Sequence, residues 1–330
     1  MQSSHVRSRT SRAFTRHAGH PCRGADLVEP HDVPLTAAGH SFRVRVYPAP
    51  EATGPTLVWV HGGAFMFGDI DMPEADWVAR ELSTSGIPVV SVDYTLAPLD
   101  AAAALRPRRR PDDGAPAWAP AAGEERPRAR FPVGVDQVVA AFLWTREHAS
   151  SLGSAPDAVS LGGASAGGNL AAGATMRLRD RGAAGPASLV LAYPVLHHAL
   201  PAADDELQSL LPSVPEALRL PPEVLTAINV NYAPDDLDNP HAFPGGHDLH
   251  GLPPTLIVNS ETDRLRSSGE AFAAELARAA VDVSVVREPG TLHGHLNEPG
   301  SAPALRSLDR IRAWFDQARP AAAPRLSRAG

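Results

Sequence analysis

The sequence predicts an α/β fold built on a mostly parallel sheet with helices on both faces. Two observations carry the prediction: short apolar runs alternate with segments of helical periodicity, and most of those runs are apolar throughout. A third is the junction "LGGASAGGNL" at 161–170, where a strand reading gives way to a helix reading around one serine stripped of bulky neighbours.

In chain order, "FRVRV" (42–46) alternates like a strand with one exposed face. "TLVWV" (56–60), "PVVSV" (88–92), "AVSL" (158–161), "LVLAY" (189–193), "TLIVN" (255–259) and "VSVV" (283–286) read as strands covered on both sides. Helices are predicted near 73–85, 133–150, 167–181, 267–280 and 303–317. Ligands of such sheets bind at the carboxyl ends of the strands. Three segments break the rhythm. Residues 1–25 read as a disordered leader. Residues 105–130, in which Arg, Pro, Ala and acidic residues make up 22 of 26, read as a disordered insertion. Residues 200–245 are too long for a plain connection and read as a small cap over the sheet's active end. One domain over 26–318 with a flexible tail at 319–330 is the expected organisation.

The chain has 330 residues, 43% hydrophobic and 20% charged, enough for a substantial core. A net charge of −7 gives no reason to expect a nucleic-acid partner or an anionic membrane surface. No apolar run approaches the ~18 residues of a membrane helix. The basic, Ser-rich start lacks an apolar core and does not read as a secretory signal. Cys22, the single cysteine, leaves no intrachain disulfide to form, and a cytoplasmic protein is expected.

Gly163-Ala164-Ser165-Ala166-Gly167 has the G-x-S-x-G form of a nucleophile elbow at a strand-to-helix junction. The serine adopts φ > 0, and the residues two before and two after are forced together, which glycine alone tolerates. A Gly-rich tight turn is the structural alternative. "WVHGGAFMFGD" (59–69) sets Gly62 and Gly63 just past another buried strand, where backbone N–H groups can meet a developing oxyanion. His61 is expected to brace this loop rather than act as a base.

"HGGAF", "VSVDYTLAP", "GGASAGGNLAAG", "LPPTLIVNSETDRLRSSGEAFAAELARA" and "REPGTLHGH" occur in an order that resembles the hormone-sensitive-lipase-like esterases, the bacterial family IV carboxylesterases. The resemblance covers about 40–98 and 131–315. It implies an α/β-hydrolase fold with a helical cap and cofactor-free hydrolysis of carboxylic esters, usually short-chain. Carried over motif by motif, it implies Ser165 as nucleophile, Asp263 as acid and His293 as base, in the chain order expected of this fold. It also implies an oxyanion hole from the N–H groups of Gly62, Gly63 and Ala166. Glu261 is the rival acid and His295 the rival base; His295 is expected to line the substrate pocket, with Phe65, Met66 and Phe67. No third histidine and carboxylate are spaced to make a metal site of His293 and His295. Ala164 stands where the family commonly has an acid, Thr95 and Leu99 where it usually has Arg and Glu, and Ala64 at the third glycine.

The expected function is therefore a serine carboxylesterase acting on a small-molecule ester, with no cofactor, metal, nucleic acid or membrane partner, and with a homodimer left open. An acyltransferase using the same triad and a catalytically silent ligand-binding protein on the same fold are the alternatives.

Overall fold

All but one of the continuously apolar runs form the middle of one sheet in the computed structural model, which describes residues 29–101 and 127–317; the run 283–286, expected to be covered on both sides, instead lies in an edge strand, half-buried to exposed. Among the described residues eight strands pair in the order β1-β2-β4-β3-β5-β6-β7-β8. They are β1 (His31–Ala37), β2 (His40–Tyr47), β3 (Thr56–Val60), β4 (Val89–Asp93), β5 (Val159–Ala164), β6 (Leu189–Ala192), β7 (Thr255–Thr262) and β8 (Val283–Leu292). β1 and β2 are antiparallel additions at one edge, and every pairing from β4 through β8 is parallel.

The helices are α1 (Pro73–Thr84), α2 (Val133–Glu147), α3 (Ala166–Asp180), α4 (Asp205–Leu210), α5 (Pro222–Tyr232), α6 (Arg266–Arg278) and α7 (Ala302–Gln317). They cover the sheet from both sides, which is why β3, β4, β5 and β6 are buried at every position. In β3, Val58 and Val60 enter the core shared with α2, α3 and α6, while Leu57 and Trp59 enter the core shared with α1 and α7. The arrangement is the mostly parallel sheet with helices on both faces that the sequence predicts.

β1 departs from the sequence reading, which has no strand there. Its residues are exposed or half-buried, with only Val33, Leu35 and Ala37 touching the core, so its apolar signal is weak. Pro34 lacks a donor, which an edge strand tolerates. β8 is longer than its apolar run, ending at Leu292 immediately before His293.

Between β6 and β7 the chain leaves the sheet and forms α4 and α5, with Leu225, Ile228 and Tyr232 of α5 buried in the larger core. The buried Arg266 of α6 ties α4 down, pairing with Glu206 at 3.0 Å and with Glu270 at 3.0 Å. The proposed leader (1–25), tail (319–330) and residues 105–126 of the insertion lie outside the described residues. The last four residues of 105–130 do not fit the expectation of an excursion. Arg128 Nη1 donates to the carbonyls of Met66 and Ala97 at 2.9 and 2.8 Å, and the Ala129 N–H to Leu96 O at 2.9 Å. Those carbonyls belong to the loops after β3 and β4, so Arg128 and Ala129 are tied to both loops. No helix among the described residues is long and apolar enough to cross a membrane.

Candidate active site

Parallel strands deliver their carboxyl ends to one edge of the sheet, and six of them bring Gly62, Tyr94, Ser165, Tyr193, Asp263 and His293 there. Ser165 occupies the turn between β5 and α3 with φ +53° and ψ −118°. Glycine is required on both sides of it. A Cβ on Gly167 would stand 2.1 Å from Val60 O, and one on Gly163 would stand 2.6 Å from Gly167 C and O. The strained turn projects the hydroxyl outward, and Ser165 Oγ lies 3.0 Å from His293 Nε2. His293 Nδ1 lies 2.7 Å from Asp263 Oδ2, while Asp263 Oδ1 accepts the Leu265 N–H at 3.0 Å. The Asp263 side chain is 1% exposed and that of His293 is 21% exposed, toward the cavity. Burial works against the imidazolium, but the charge and hydrogen bond of Asp263, with the charge of Glu74 behind them, prevail. The His293 pKa therefore lies above the ordinary 6.5.

The two rivals are occupied elsewhere. Glu261 accepts the Gly290 N–H at 2.8 Å and so holds the loop rather than the imidazole. His295 is not a pocket residue, contrary to expectation. It is buried, its Nδ1 lies 2.8 Å from Ser260 Oγ and its Nε2 2.8 Å from Ser307 Oγ. Burial, then the neighbouring His293 charge, lowers its pKa to about 4. Met66 is likewise absent from the cavity wall and fully buried, whereas Phe65 and Phe67 do line it. His61 braces its loop: its Nδ1 contacts Gly62 O at 2.7 Å and its ring stacks on Tyr94 at 4.5 Å.

The expected oxyanion donors also need one revision. Gly62 N–H already donates to Glu74 Oε1 at 2.9 Å, so it does not serve a substrate oxygen. The N–H groups of Gly63, Ala64 and Ala166 carry no hydrogen bond within the described residues, and all three residues line the cavity. Ala64 (φ +53°) and Phe65 (φ +62°) hold left-handed conformations that turn this segment. Sequence reasoning missed Ala64 because it looked for glycine, and missed Glu74 because an acid in a first helical turn ordinarily needs no further explanation. Among the described residues no group of three His, Cys, Asp or Glu side chains is placed to hold a metal ion.

The relay opens into a cavity of about 890 Å³, with Phe65, Phe67 and Val195 on the sheet side and Leu211, Val214, Leu225 and Ile228 on the excursion between β6 and β7.

A sequence model of the family described as alpha/beta hydrolase fold matches residues 57–105 and 125–297. The chain belongs to the hormone-sensitive-lipase-like group of this α/β-hydrolase family. Among its relatives, Carboxylesterase NlhH of Mycobacterium tuberculosis is 32% identical over 269 residues, covering 79% of this chain and 73% of that protein. An arylesterase of Saccharolobus solfataricus is 28% identical over 275 residues, covering 82% and 78%. The crystal structure of EstE1, a thermostable carboxylesterase from a metagenomic library, superposes with a TM-score of 0.72 at 32% identity, covering 89% of this chain and 90% of that one. A hyperthermophilic esterase from the archaeon Pyrobaculum calidifontis gives 0.71 at 28% identity, covering 88% and 84%. Fold and family of this hydrolase thus agree with the motifs read from the sequence.

Proposed function

We propose that the protein is a serine carboxylesterase that hydrolyses small-molecule esters through an acyl-enzyme on Ser165. The observation that carries this reading is the continuous relay Ser165 Oγ–His293–Asp263, at 3.0 and 2.7 Å, facing unpaired N–H groups across a largely apolar cavity. With the ring proton on Nδ1 toward Asp263, His293 Nε2 accepts the serine proton as Oγ attacks the ester carbonyl. The N–H groups of Gly63, Ala64 and Ala166 receive the oxyanion, and the N-terminus of α3 favours negative charge there. Asp263 stabilises the imidazolium, whose Nε2–H then protonates the departing alkoxide. Water then attacks the acyl carbonyl while giving a proton to His293 Nε2, and the imidazolium returns that proton to Ser165 Oγ as the carboxylic acid leaves. Related carboxylesterases support the ester as the bond cleaved.

The excursion between β6 and β7 acts as the cap over this site in our reading, with its apolar side chains sheltering the acyl group. Short acyl chains, roughly C2 to C6, are the favoured substrates by analogy with the family, and the rest of the cavity is left for the alcohol. The cytoplasm is the compartment this reading assumes, since a chain with one cysteine gains nothing from an oxidising environment.

The test is purified enzyme against p-nitrophenyl esters from about C2 to C12, with Ser165→Ala beside it. A burst of nitrophenol followed by turnover, absent in the variant, supports the reading. A variant that keeps more than about a few per cent of kcat sinks it. Binding without turnover in the wild type would favour a silent ligand-binding protein instead.

A further inference from the structure

Glu74 is the one buried acid at the site that the mechanism above leaves unused. It opens α1 and is 1% exposed. Its Oε1 accepts the Gly62 N–H at 2.9 Å and its Oε2 the Tyr193 hydroxyl at 3.4 Å. Its own backbone is held from two sides: Trp59 Nε1 donates to its carbonyl at 3.1 Å, and its N–H reaches Asn297 Oδ1, past His293, at 3.4 Å. The space above Gly62 is bounded by Glu74 Oε2 on one side and Ser165 Cβ on the other, each 3.3 Å from where a Cβ would sit. The carboxylate therefore lies against the elbow itself. Among the described residues the titratable groups facing it are Tyr94, Tyr193 and His293, with Asp263 beyond Tyr193, and no guanidinium pairs with it.

Such a group is costly. Burial pushes the Glu74 carboxyl up to about 7, against the hydrogen bonds from Gly62 and Tyr193 and the charge of His293, which favour ionisation. A glutamine would fill the same volume and keep the Gly62 bond without the buried charge. An acid that lowers stability where the chemistry occurs calls for a reason in function.

We propose that Glu74 is a positioning residue for the esterase reaction: it occupies the Gly62 N–H, leaving those of Gly63 and Ala64 to face the substrate carbonyl, and supplies a second negative charge within reach of the His293 imidazolium. The inference rests on the reading of Ser165 and His293 as nucleophile and base. The two functions separate by substitution. Glu74→Gln keeps an acceptor for Gly62 and removes the charge. Glu74→Asp keeps a charge but falls one methylene short of Gly62.

The experiment measures kcat, KM and the acid limb of kcat/KM with p-nitrophenyl acetate, together with Tm at alkaline pH. For Glu74→Gln we expect KM within about twofold, kcat lowered about three- to tenfold, the acid limb moved to lower pH by about half a unit or more, and Tm unchanged or raised. The sign follows from His293: ionised Glu74 raises its pKa, so removing the charge lets it lose its proton at lower pH. For Glu74→Asp we expect kcat lowered by about tenfold with the acid limb near the wild-type position. A Glu74→Gln enzyme with wild-type kcat and acid limb overturns the proposal. So does a Glu74→Asp enzyme whose acid limb moves as far as that of Glu74→Gln. Ser165→Ala, run in parallel, keeps the two failures apart: if it stays active the site reading itself falls, and if it is dead while both Glu74 variants behave as wild type, only this inference does.

Discussion

Replacing Asp263 by Asn removes the charge that stabilises the His293 imidazolium while leaving the local shape intact. The two side chains meet at 2.7 Å, and the Asp263 side chain is 1% exposed, so solvent screens the pair poorly. With each charge spread over its own group, the centres lie roughly 4 Å apart, and at an effective dielectric of about 20 the attraction is about 4 kcal/mol. That interaction exists only once His293 is protonated, in the transition state and intermediate, so its loss falls on kcat. At about 1.4 kcal/mol per decade it amounts to roughly a thousandfold. The amide adds a second penalty. If its N–H₂ faces Nδ1, the ring proton moves to Nε2, opposite Ser165 Oγ, and the base is lost. The expected fall in kcat is therefore about 10³- to 10⁴-fold, with KM little changed. The assay is steady-state hydrolysis of p-nitrophenyl butyrate well above the acid limb, at low and high salt, with a thermal melt to verify folding. A folded Asp263→Asn enzyme that loses less than about 30-fold, or whose loss disappears in high salt, refutes the reasoning.

Three further outcomes follow from the same geometry. Gly167→Ala places a Cβ 2.1 Å from Val60 O and 2.4 Å from His61 O, backbone atoms that cannot swing aside. Its cost is on the order of 3 kcal/mol or more in denaturant titration, and unchanged stability would mean the elbow is not packed as described. The raised pKa of His293 puts the acid limb of kcat/KM above the ordinary histidine value of 6.5, and a limb below it counts against the Asp263 and Glu74 contributions. His295 carries a folded pKa of about 4 against 6.5 when unfolded, so between those values the unfolded chain binds the extra proton and stability falls as pH drops. The penalty from this residue is about 2 kcal/mol at pH ~5, and His295→Gln flattens the stability–pH curve there; equal slopes in both proteins would refute it.

The parts of this molecule legible in the sequence are those where one local requirement is stringent. Leu57 through Val60 must be apolar on both faces because helices cover both, and Gly163 and Gly167 must be glycine because a Cβ at either strikes backbone. Ser165, Asp263 and His293 each follow a run that reads plainly as a strand, and the structure brings them within hydrogen-bonding reach of one another. Other features depend on partners far away in the chain. Whether Gly62 or Ala64 offers its N–H is decided by Glu74, 12 residues on from Gly62. The burial of Met66 beside two cavity-lining phenylalanines depends on how the turn after β3 twists, with Gly63, Ala64 and Phe65 all at positive φ. β1 was illegible for a different reason, since an edge strand that buries little needs little apolar pattern.

His293 and His295 make the general point most sharply. One glycine separates them in "HGH", and composition treats them alike. β8 ends at Leu292, and Gly294 turns the chain at φ +81°. His293 consequently projects over the cavity toward Ser165, and His295 enters the opposite side of the turn, between β7 and α7. There two neutral hydroxyls, Ser260 and Ser307, bind both ring nitrogens. They satisfy a neutral imidazole fully but offer nothing to offset the burial of a charged one. His293 is half-buried, yet faces the carboxylates of Asp263 and Glu74, which outweigh its desolvation. The two pKa values are thus driven apart from a common origin, and a charged His293 itself pushes His295 further down. In the proposed reaction His293 must gain and lose a proton at every turnover. A second imidazolium two residues away would weaken His293 as a base, whereas His295, with its pKa lowered to about 4, stays neutral throughout the range in which His293 works.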